Sequence, residues 1–123
     1  MTKIALVIDD EPANIDLIKG LLPQGFKCKA ALNGTVGLKQ IAKALPDIVF
    51  LDLVMPGITG VETLTEIRQN PNTQALPVVI VSGNKNDAEL AELESLGIQG
   101  YVTKPINPEG FAELVETILG GAS

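Results

Sequence analysis

Five short apolar segments recur along the chain, separated by longer amphipathic segments. Three of them are apolar throughout, which is typical of strands buried on both faces inside a parallel sheet. The other two alternate apolar and polar residues, as strands at the edge of a sheet do. The pattern predicts three central strands at residues 3–8, 48–51 and 78–81, the second of which stops near Asp52, and two edge strands at 26–31 and 98–103.

Apolar residues spaced three or four positions apart follow each of these segments and predict a helix after every strand. Acidic residues with Pro12 suit the start of the first helix, and Gly97 suits the end of the fourth. The second helix is weakened by Gly37, and its apolar residues are Val36, Ile41 and Ala42. We expect helices from 9–12 to just before 23, over 35–45, from about 59 to before 70, over 87–96 and over 108–119.

Strict alternation of strands and helices predicts right-handed crossovers and a parallel sheet that is covered on both faces. The first, third and fourth strands are expected to be central. The doubly wound, flavodoxin-like order 2-1-3-4-5 meets this expectation, so we predict an α/β fold with this order. The switch point of this order lies between strands one and three. Asp9 and Asp10 follow the first strand and Asp52 ends the third, so we expect the three carboxylates to share one crevice.

Composition narrows the possible functions. The chain has 123 residues, a net charge of -6, one cysteine and no histidine. These values exclude a disulfide framework, zinc sites that need histidine and a Ser-His-Asp triad within the chain. They also make nucleic acid or an anionic membrane an unfavourable partner for the surface as a whole. The first apolar segment is too short for a signal peptide and meets Asp9-Asp10-Glu11, so we expect a soluble, cytoplasmic protein.

Three crowded carboxylates repel one another and need a cation, and an all-oxygen ligand set suits Mg²⁺ or Ca²⁺. A carboxylate beside such a metal can act as a nucleophile toward phosphorus. Transfer of a phosphoryl group also needs its oxygens to be neutralised. Ser82 and Lys104, at the ends of strands four and five, are the candidates for that role.

The complete set of motifs resembles the receiver domain of two-component response regulators. The residues that carry this resemblance span the chain, and each lies at a strand end or in the last strand. They are the acidic pair Asp9 and Asp10, the phosphoacceptor position Asp52 followed by Met55-Pro56-Gly57, the hydroxyl residue Ser82, the aromatic Tyr101, and Lys104-Pro105.

The resemblance implies that residues 1–123 form a single receiver domain and that a histidine kinase or a histidine phosphotransfer protein phosphorylates Asp52. It implies Mg²⁺ bound by Asp9, Asp10, Asp52 and the backbone carbonyl of Val54, and a cis peptide bond at Lys104-Pro105. It further implies that Lys104 pairs with the phosphoryl group, that Ser82 moves to bond it, and that Tyr101 turns inward. The fourth helix, fifth strand and fifth helix would then bind a target protein, while Val54 and Asn84 tune the phosphoryl lifetime.

Other interpretations stay open at this point. Taken singly, Asp9-Asp10-Glu11 could cap a helix, Asp52 could start a loop, and Lys104 could be a solvated lysine. Ser82-Gly83 could be a turn, and Tyr101 could be an aromatic residue of an edge strand. A dehalogenase-type phosphatase would need a second aspartate where Val54 stands, and a flavin or nucleotide binder would need a phosphate loop after the first strand. A docking module that is never phosphorylated also remains possible. The chain could be a stand-alone regulator or a receiver cut from a longer one with an output domain.

Overall fold

A computed structural model describes residues 2–83 and 87–120 and contains the five expected strands and five helices. Within the described residues each helix is ten residues long. No helix among them combines the length and apolarity that crossing a bilayer requires. In chain order the elements are β1 (Lys3–Ile8), α1 (Pro12–Leu21), β2 (Phe26–Ala31), α2 (Gly34–Lys43), β3 (Ile48–Asp52), α3 (Gly60–Gln69), β4 (Val78–Ser82), α4 (Asp87–Leu96), β5 (Gly100–Thr103) and α5 (Phe111–Gly120).

The five strands form one parallel sheet in the order β2-β1-β3-β4-β5, which confirms the topology expected from the sequence. Every residue of β3 and β4 is buried, as their continuous apolar sequences predict. The lysines of β2 lie at an edge of the sheet, where solvent reaches them. The three continuously apolar strands are therefore central, and the two alternating strands lie at the edges.

Two hydrophobic clusters cover the two faces of the sheet. One contains Ile41, Leu64 and Leu93 and so lies under α2, α3 and α4. The other contains Ile18 and Val115 and lies under α1 and α5. The expected arrangement of helices on both faces is confirmed, and the carboxyl ends of all five strands point to the same edge of this sandwich.

Three details differ from the sequence-based expectation. The last helix begins at Phe111 rather than near residue 108, because Gly110 has a φ of +82° that no α-helix can include. The last strand begins at Gly100 rather than at residue 98, after Gly97 has ended α4 with a φ of +100°. Helix α2 ends at Lys43 rather than at residue 45, and its buried residues are Gly34, Gly37 and Ile41. Val36 is 40% exposed and Ala42 is also exposed, so the two do not belong to its buried side.

Candidate functional site

The site is built from residues at the carboxyl ends of β1 and β3. Ile8 pairs with Leu51 in the parallel register of these neighbouring strands, so Asp9 and Asp52 each come one residue later. Both residues are buried, whereas aspartates are rarely buried in proteins unless they are paired with another group. The switch point of the sheet therefore holds two buried acids side by side.

Asp10 completes a cluster of three carboxylates. One oxygen from each of Asp9, Asp10 and Asp52 lies within 4.8 Å of the other two. Asp10 is exposed while its two neighbours are buried, so the cluster opens to solvent on one side. An all-oxygen set of this size matches the ligand preference of Mg²⁺, which keeps several of its own waters.

Lys104 supplies the cation of the site. Its Nζ lies 3.2 Å from Oδ2 of Asp9 and 3.4 Å from Oδ2 of Asp52. The lysine side chain is 18% exposed, whereas those of Asp9 and Asp52 are 2% and 5% exposed. The expected cis peptide bond at Lys104-Pro105 is present. One ammonium group thus bridges the two buried carboxylates.

The electrostatics of Asp52 reflect this crowding. Burial raises the pKa of Asp52, and the negative charge of Asp9 raises it further. Lys104 and the N–H of Val54, which donates to Oδ1 over 3.3 Å, oppose the rise without cancelling it. For Lys104, burial lowers the pKa, but Asp52 and Asp9 outweigh burial and leave the pKa raised. The lysine therefore stays charged, while the aspartate is held in an environment that is costly for an anion.

Ser82 and Tyr101 lie on the neighbouring strands. Ser82 is the last residue of β4 and is buried, and its carbonyl accepts a hydrogen bond from the Lys104 N–H over 2.9 Å. Tyr101 pairs with Ile80 in register and packs, half-buried, against the hydrophobic cluster under α2, α3 and α4. In the order of the sheet, the strands of Ser82 and Tyr101 lie on one side of β3, which carries Asp52, and β1 lies on the other side.

Two features of the site were not foreseen from the sequence. Glu11 reaches Lys104, with 3.9 Å between Oε1 and Nζ, although its side chain is 65% exposed. Gly60 packs directly on the backbone that carries Asp52: a Cβ at this position would lie 2.5 Å from the Asp52 carbonyl oxygen. The Gly60 N–H donates to the carbonyl of Leu53 over 3.1 Å. A glycine just after the Pro-Gly turn was the available signal, but a sequence does not show how closely two backbones approach.

The sequence was compared with models of known protein families. The family model of the response regulator receiver domain matches residues 5–116. The chain belongs to the response regulator receiver domain family. This membership confirms the resemblance proposed from the motifs.

The chain is similar to several known proteins. It is 37% identical over 102 residues to a Vibrio cholerae protein named probable cyclic di-GMP phosphodiesterase; the match covers 83% of this chain and 23% of that protein. It is 28% identical over 117 residues to protein PilH of Pseudomonas aeruginosa, with 94% and 97% of the two chains covered. A solved structure from Chloroflexus aurantiacus, described as a response regulator, superposes with a TM-score of 0.90 at 27% identity and covers 98% of this chain and 99% of its own. The chain spans less than a quarter of the first relative and nearly all of the second.

The structure brings some of the predicted site residues together and leaves the roles of others as predictions. It brings Asp9, Asp10, Asp52 and Lys104 together and places Ser82 on the adjacent strand end. For Val54 it shows an N–H that bonds Asp52 and a side chain that is 73% exposed, while metal ligation by its carbonyl stays a prediction. Asn84 lies outside the described residues.

Proposed function

We propose that this receiver domain is a phosphorylation-controlled signalling switch whose phosphoacceptor is Asp52. The observation that carries the proposal is the setting of this residue. Its carboxylate is nearly buried, shares a cluster with Asp9 and Asp10, and lies 3.4 Å from the Lys104 ammonium group. A buried acid at a strand end, with a cation on one side and other carboxylates on another, is suited to accept a phosphoryl group rather than to cap a loop.

The three carboxylates fit a divalent cation. Their oxygens are close enough to share one ion, and three negative charges in this space exceed what Lys104 alone can balance. Mg²⁺ held by Asp9, Asp10, Asp52 and the carbonyl of Val54 would neutralise charge on the transferred phosphoryl group. The all-oxygen donor set supports Mg²⁺ over zinc.

The chemical step is a transfer to an oxygen of Asp52. A carboxylate oxygen attacks phosphorus, and the bond between phosphorus and the donor nitrogen or oxygen breaks. The donor leaves with the bonding electron pair: an imidazole for phosphohistidine, or acetate for acetyl phosphate. Lys104 pairs with the negative oxygens of the bound phosphoryl group, and hydrolysis later returns inorganic phosphate and the free carboxylate.

The switch itself is assigned to Ser82 and Tyr101. Phosphorylation adds nearly two negative charges at Asp52. Reversing a 1:99 equilibrium takes about 5.5 kcal/mol. Hydrogen bonds from Ser82 and Lys104 to a charged group contribute roughly 1.5–3 kcal/mol each, so two of them are of the right order. Inward rotation of Tyr101 would then change the surface of α4, β5 and α5, to which we assign target binding.

We assign the donor to a histidine kinase or a histidine phosphotransfer protein, and the cellular location to the cytoplasm. The 123 residues contain no histidine, so a phosphohistidine donor must lie outside them. Beyond transfer to and hydrolysis from Asp52, the domain is not proposed to be an enzyme. Residues 1–123 are proposed to form one receiver domain.

The test is intact-mass spectrometry after incubation with acetyl phosphate, with and without Mg²⁺. The parent, Asp52→Asn and Asp16→Asn are compared, the last being an exposed aspartate of α1 outside the site. We expect one phosphoryl adduct in the parent and in Asp16→Asn, dependent on Mg²⁺, and none in Asp52→Asn.

Two results would contradict the proposal. An adduct that persists in Asp52→Asn would place the acceptor elsewhere. Failure of the folded parent to form any adduct, with acetyl phosphate and also with a phosphorylated histidine kinase, would favour a docking module that acts without phosphorylation.

A further inference from the structure

Charge is unevenly distributed along this acidic chain. Residues 17–46 contain five of the nine cationic residues and none of the fifteen carboxylates. An even distribution would place about four carboxylates in a segment of that length. The segment includes the end of α1, all of β2 and all of α2, and β2 is an edge strand of the sheet.

The lysines of β2 project toward α2. Side chains alternate along a strand, and Ala31 belongs to the hydrophobic cluster that also contains Ile41 of α2. Lys27 and Lys29 share the alternation of Ala31, so they lie on the same face of the sheet. Lys27 is exposed and Lys29 is half-buried.

A hydrogen bond fixes α2 against the open side of β2. The carbonyl of Gly25 accepts from the N–H of Lys3, the first residue of β1, and that of Ala31 accepts from the N–H of Asp9, directly after β1. The carbonyl of Ala30 therefore points away from β1. The side chain of Gln40 donates to that outward carbonyl through Nε2 over 2.8 Å. Val36 and Lys43 lie one turn on either side of Gln40, so they border the same open edge.

These positions define one surface, which we call the β2–α2 face. It consists of Lys27, Lys29, Leu32, Val36, Lys39 and Lys43. Leu32 and Val36 are 55% and 40% exposed. They are two of the five large apolar side chains that are exposed among the described residues. Exposed apolar side chains and unopposed positive charge therefore occur together.

The stability of the fold explains only some of the lysines and apolar residues of the β2–α2 face. Lysines on an edge strand deter pairing with other strands, and Lys43 suits the carboxyl end of α2. Neither reason applies to Lys39, to Leu32 or to the lack of carboxylates. Within residues 2–83 and 87–120, no carboxylate lies within 4.0 Å of the ammonium group of Lys27, Lys29, Lys39 or Lys43.

We infer that the β2–α2 face docks an acidic protein segment that carries apolar side chains. Unopposed lysines supply charge complementarity, and Leu32 with Val36 supplies apolar contact. Nucleic acid fits less well, because its phosphate backbone offers no apolar contact to the exposed side chains of Leu32 and Val36. The face is separate from Asp52 and from the α4, β5 and α5 surface, so the inference does not depend on the proposed function.

The test uses the full chain, labelled with ¹⁵N, and a synthetic amphipathic helix built from glutamate and leucine. We expect saturable shifts of the backbone amides between residues 27 and 43. Lys39→Glu should weaken binding roughly fivefold, as a loss of about 1 kcal/mol does. The matched control is Lys19→Glu, an exposed lysine of α1 on the opposite face of the sheet, which should leave the affinity unchanged.

Two comparison probes decide the nature of the partner. The same peptide with every leucine replaced by serine should bind at least about tenfold more weakly, because the apolar contact is lost. If the serine peptide bound equally well, the face would bind acidic peptides by charge alone, and the inference would be overturned. Equal or tighter binding of an oligothymidylate would assign the face to nucleic acid. Concentration-dependent dimerisation that Lys39→Glu abolishes would assign it to a second copy of the chain.

Discussion

The side chains of Arg68 and Gln99 meet at the end of the sheet opposite the carboxylate cluster. Arg68 Nη2 donates to Oε1 of Gln99 over 3.2 Å, and the same oxygen accepts from the Val78 N–H over 2.7 Å. Arg68 also donates to the carbonyls of Leu76 over 2.8 Å and Gly97 over 3.0 Å. One guanidinium group therefore joins the end of α3 to the starts of β4 and β5 and to the end of α4.

Arg68→Ala is expected to lower the free energy of unfolding by about 2–3 kcal/mol, because several partly buried carbonyls lose a charged donor. Arg68→Lys should recover less than half of this loss, since an ammonium group lacks the planar fork that serves several acceptors. Urea unfolding followed by far-UV circular dichroism measures both variants, as the chain has no tryptophan. Gln69→Ala, at the exposed neighbouring residue, is the control and should change stability by less than about 0.5 kcal/mol. Loss of stability equal in Arg68→Ala and Gln69→Ala would contradict this role.

Gly60→Ala should both destabilise the protein and slow phosphorylation. An added Cβ would lie 2.5 Å from the Asp52 carbonyl oxygen and 2.6 Å from the Leu53 Cα, and neither backbone atom can rotate away. We expect a loss of about 1–3 kcal/mol and a displaced Asp52 carboxylate. Thermal unfolding and the rate of adduct formation with acetyl phosphate are the two measurements.

The control for this substitution is Gly20→Ala in α1. A Cβ there meets no atom within 4 Å, and alanine is the better helix former, so stability should rise by up to about 1 kcal/mol. Phosphorylation should be unaffected. If the two alanine variants behaved alike, close backbone contact at Gly60 would not be the cause of any defect.

Sequence reasoning reached the strand order and most of the site for one physical reason. Continuous or alternating apolar sequence separates central strands from edge strands, and the doubly wound order 2-1-3-4-5 satisfies that separation. Once the order is known, the carboxyl ends of β1 and β3 must be neighbours, so Asp9 and Asp52 come together without any further information.

The rest depended on tertiary contacts that leave no local pattern. In the sequence, Arg68 looks like an ordinary surface cation at the end of a helix. In the structure it donates hydrogen bonds to Leu76, Gly97 and Gln99. Gly60 resembles any glycine near a turn. The predicted helix start near residue 108 is wrong because the backbone at Gly110 has a positive φ, which the apolar spacing of the helix does not reveal.

Lys104→Met is expected to make the stability of the protein depend more strongly on Mg²⁺. Without the ammonium group, the buried carboxylates of Asp9 and Asp52 repel each other, and in EDTA the loss should be about 1–2 kcal/mol. Saturating Mg²⁺ should restore most of it, because the ion takes over the neutralisation. Thermal unfolding in the two buffers measures the difference, with Lys27→Met on the exposed edge strand as the control. The same loss in EDTA and in Mg²⁺ would mean that the lysine acts through packing and not through charge.

Cys28 is expected to react slowly with alkylating reagents at neutral pH. Burial raises the pKa of its thiol, Lys19 lowers it, and Asp16 raises it, with a net rise. The thiol also donates weakly to the Lys29 carbonyl, with 3.7 Å between Sγ and the oxygen. Because the thiolate is the reacting species, a raised pKa leaves less of it at neutral pH, and the rate should go on increasing at pH values where a free thiol has reached its plateau.

The chain has a single cysteine, so one iodoacetamide adduct seen by intact mass reports this site alone. The folded protein should react several-fold more slowly than the same chain in urea, where the thiol has its ordinary pKa of about 8.5. Asp16→Asn should speed the reaction of the folded protein, and Lys19→Gln should slow it, because the two neighbouring charges act on the thiolate in opposite directions. If both variants instead alkylated at the parent rate while urea still accelerated the reaction, steric cover by the edge of the sheet, and not the pKa of the thiol, would control the reactivity of Cys28.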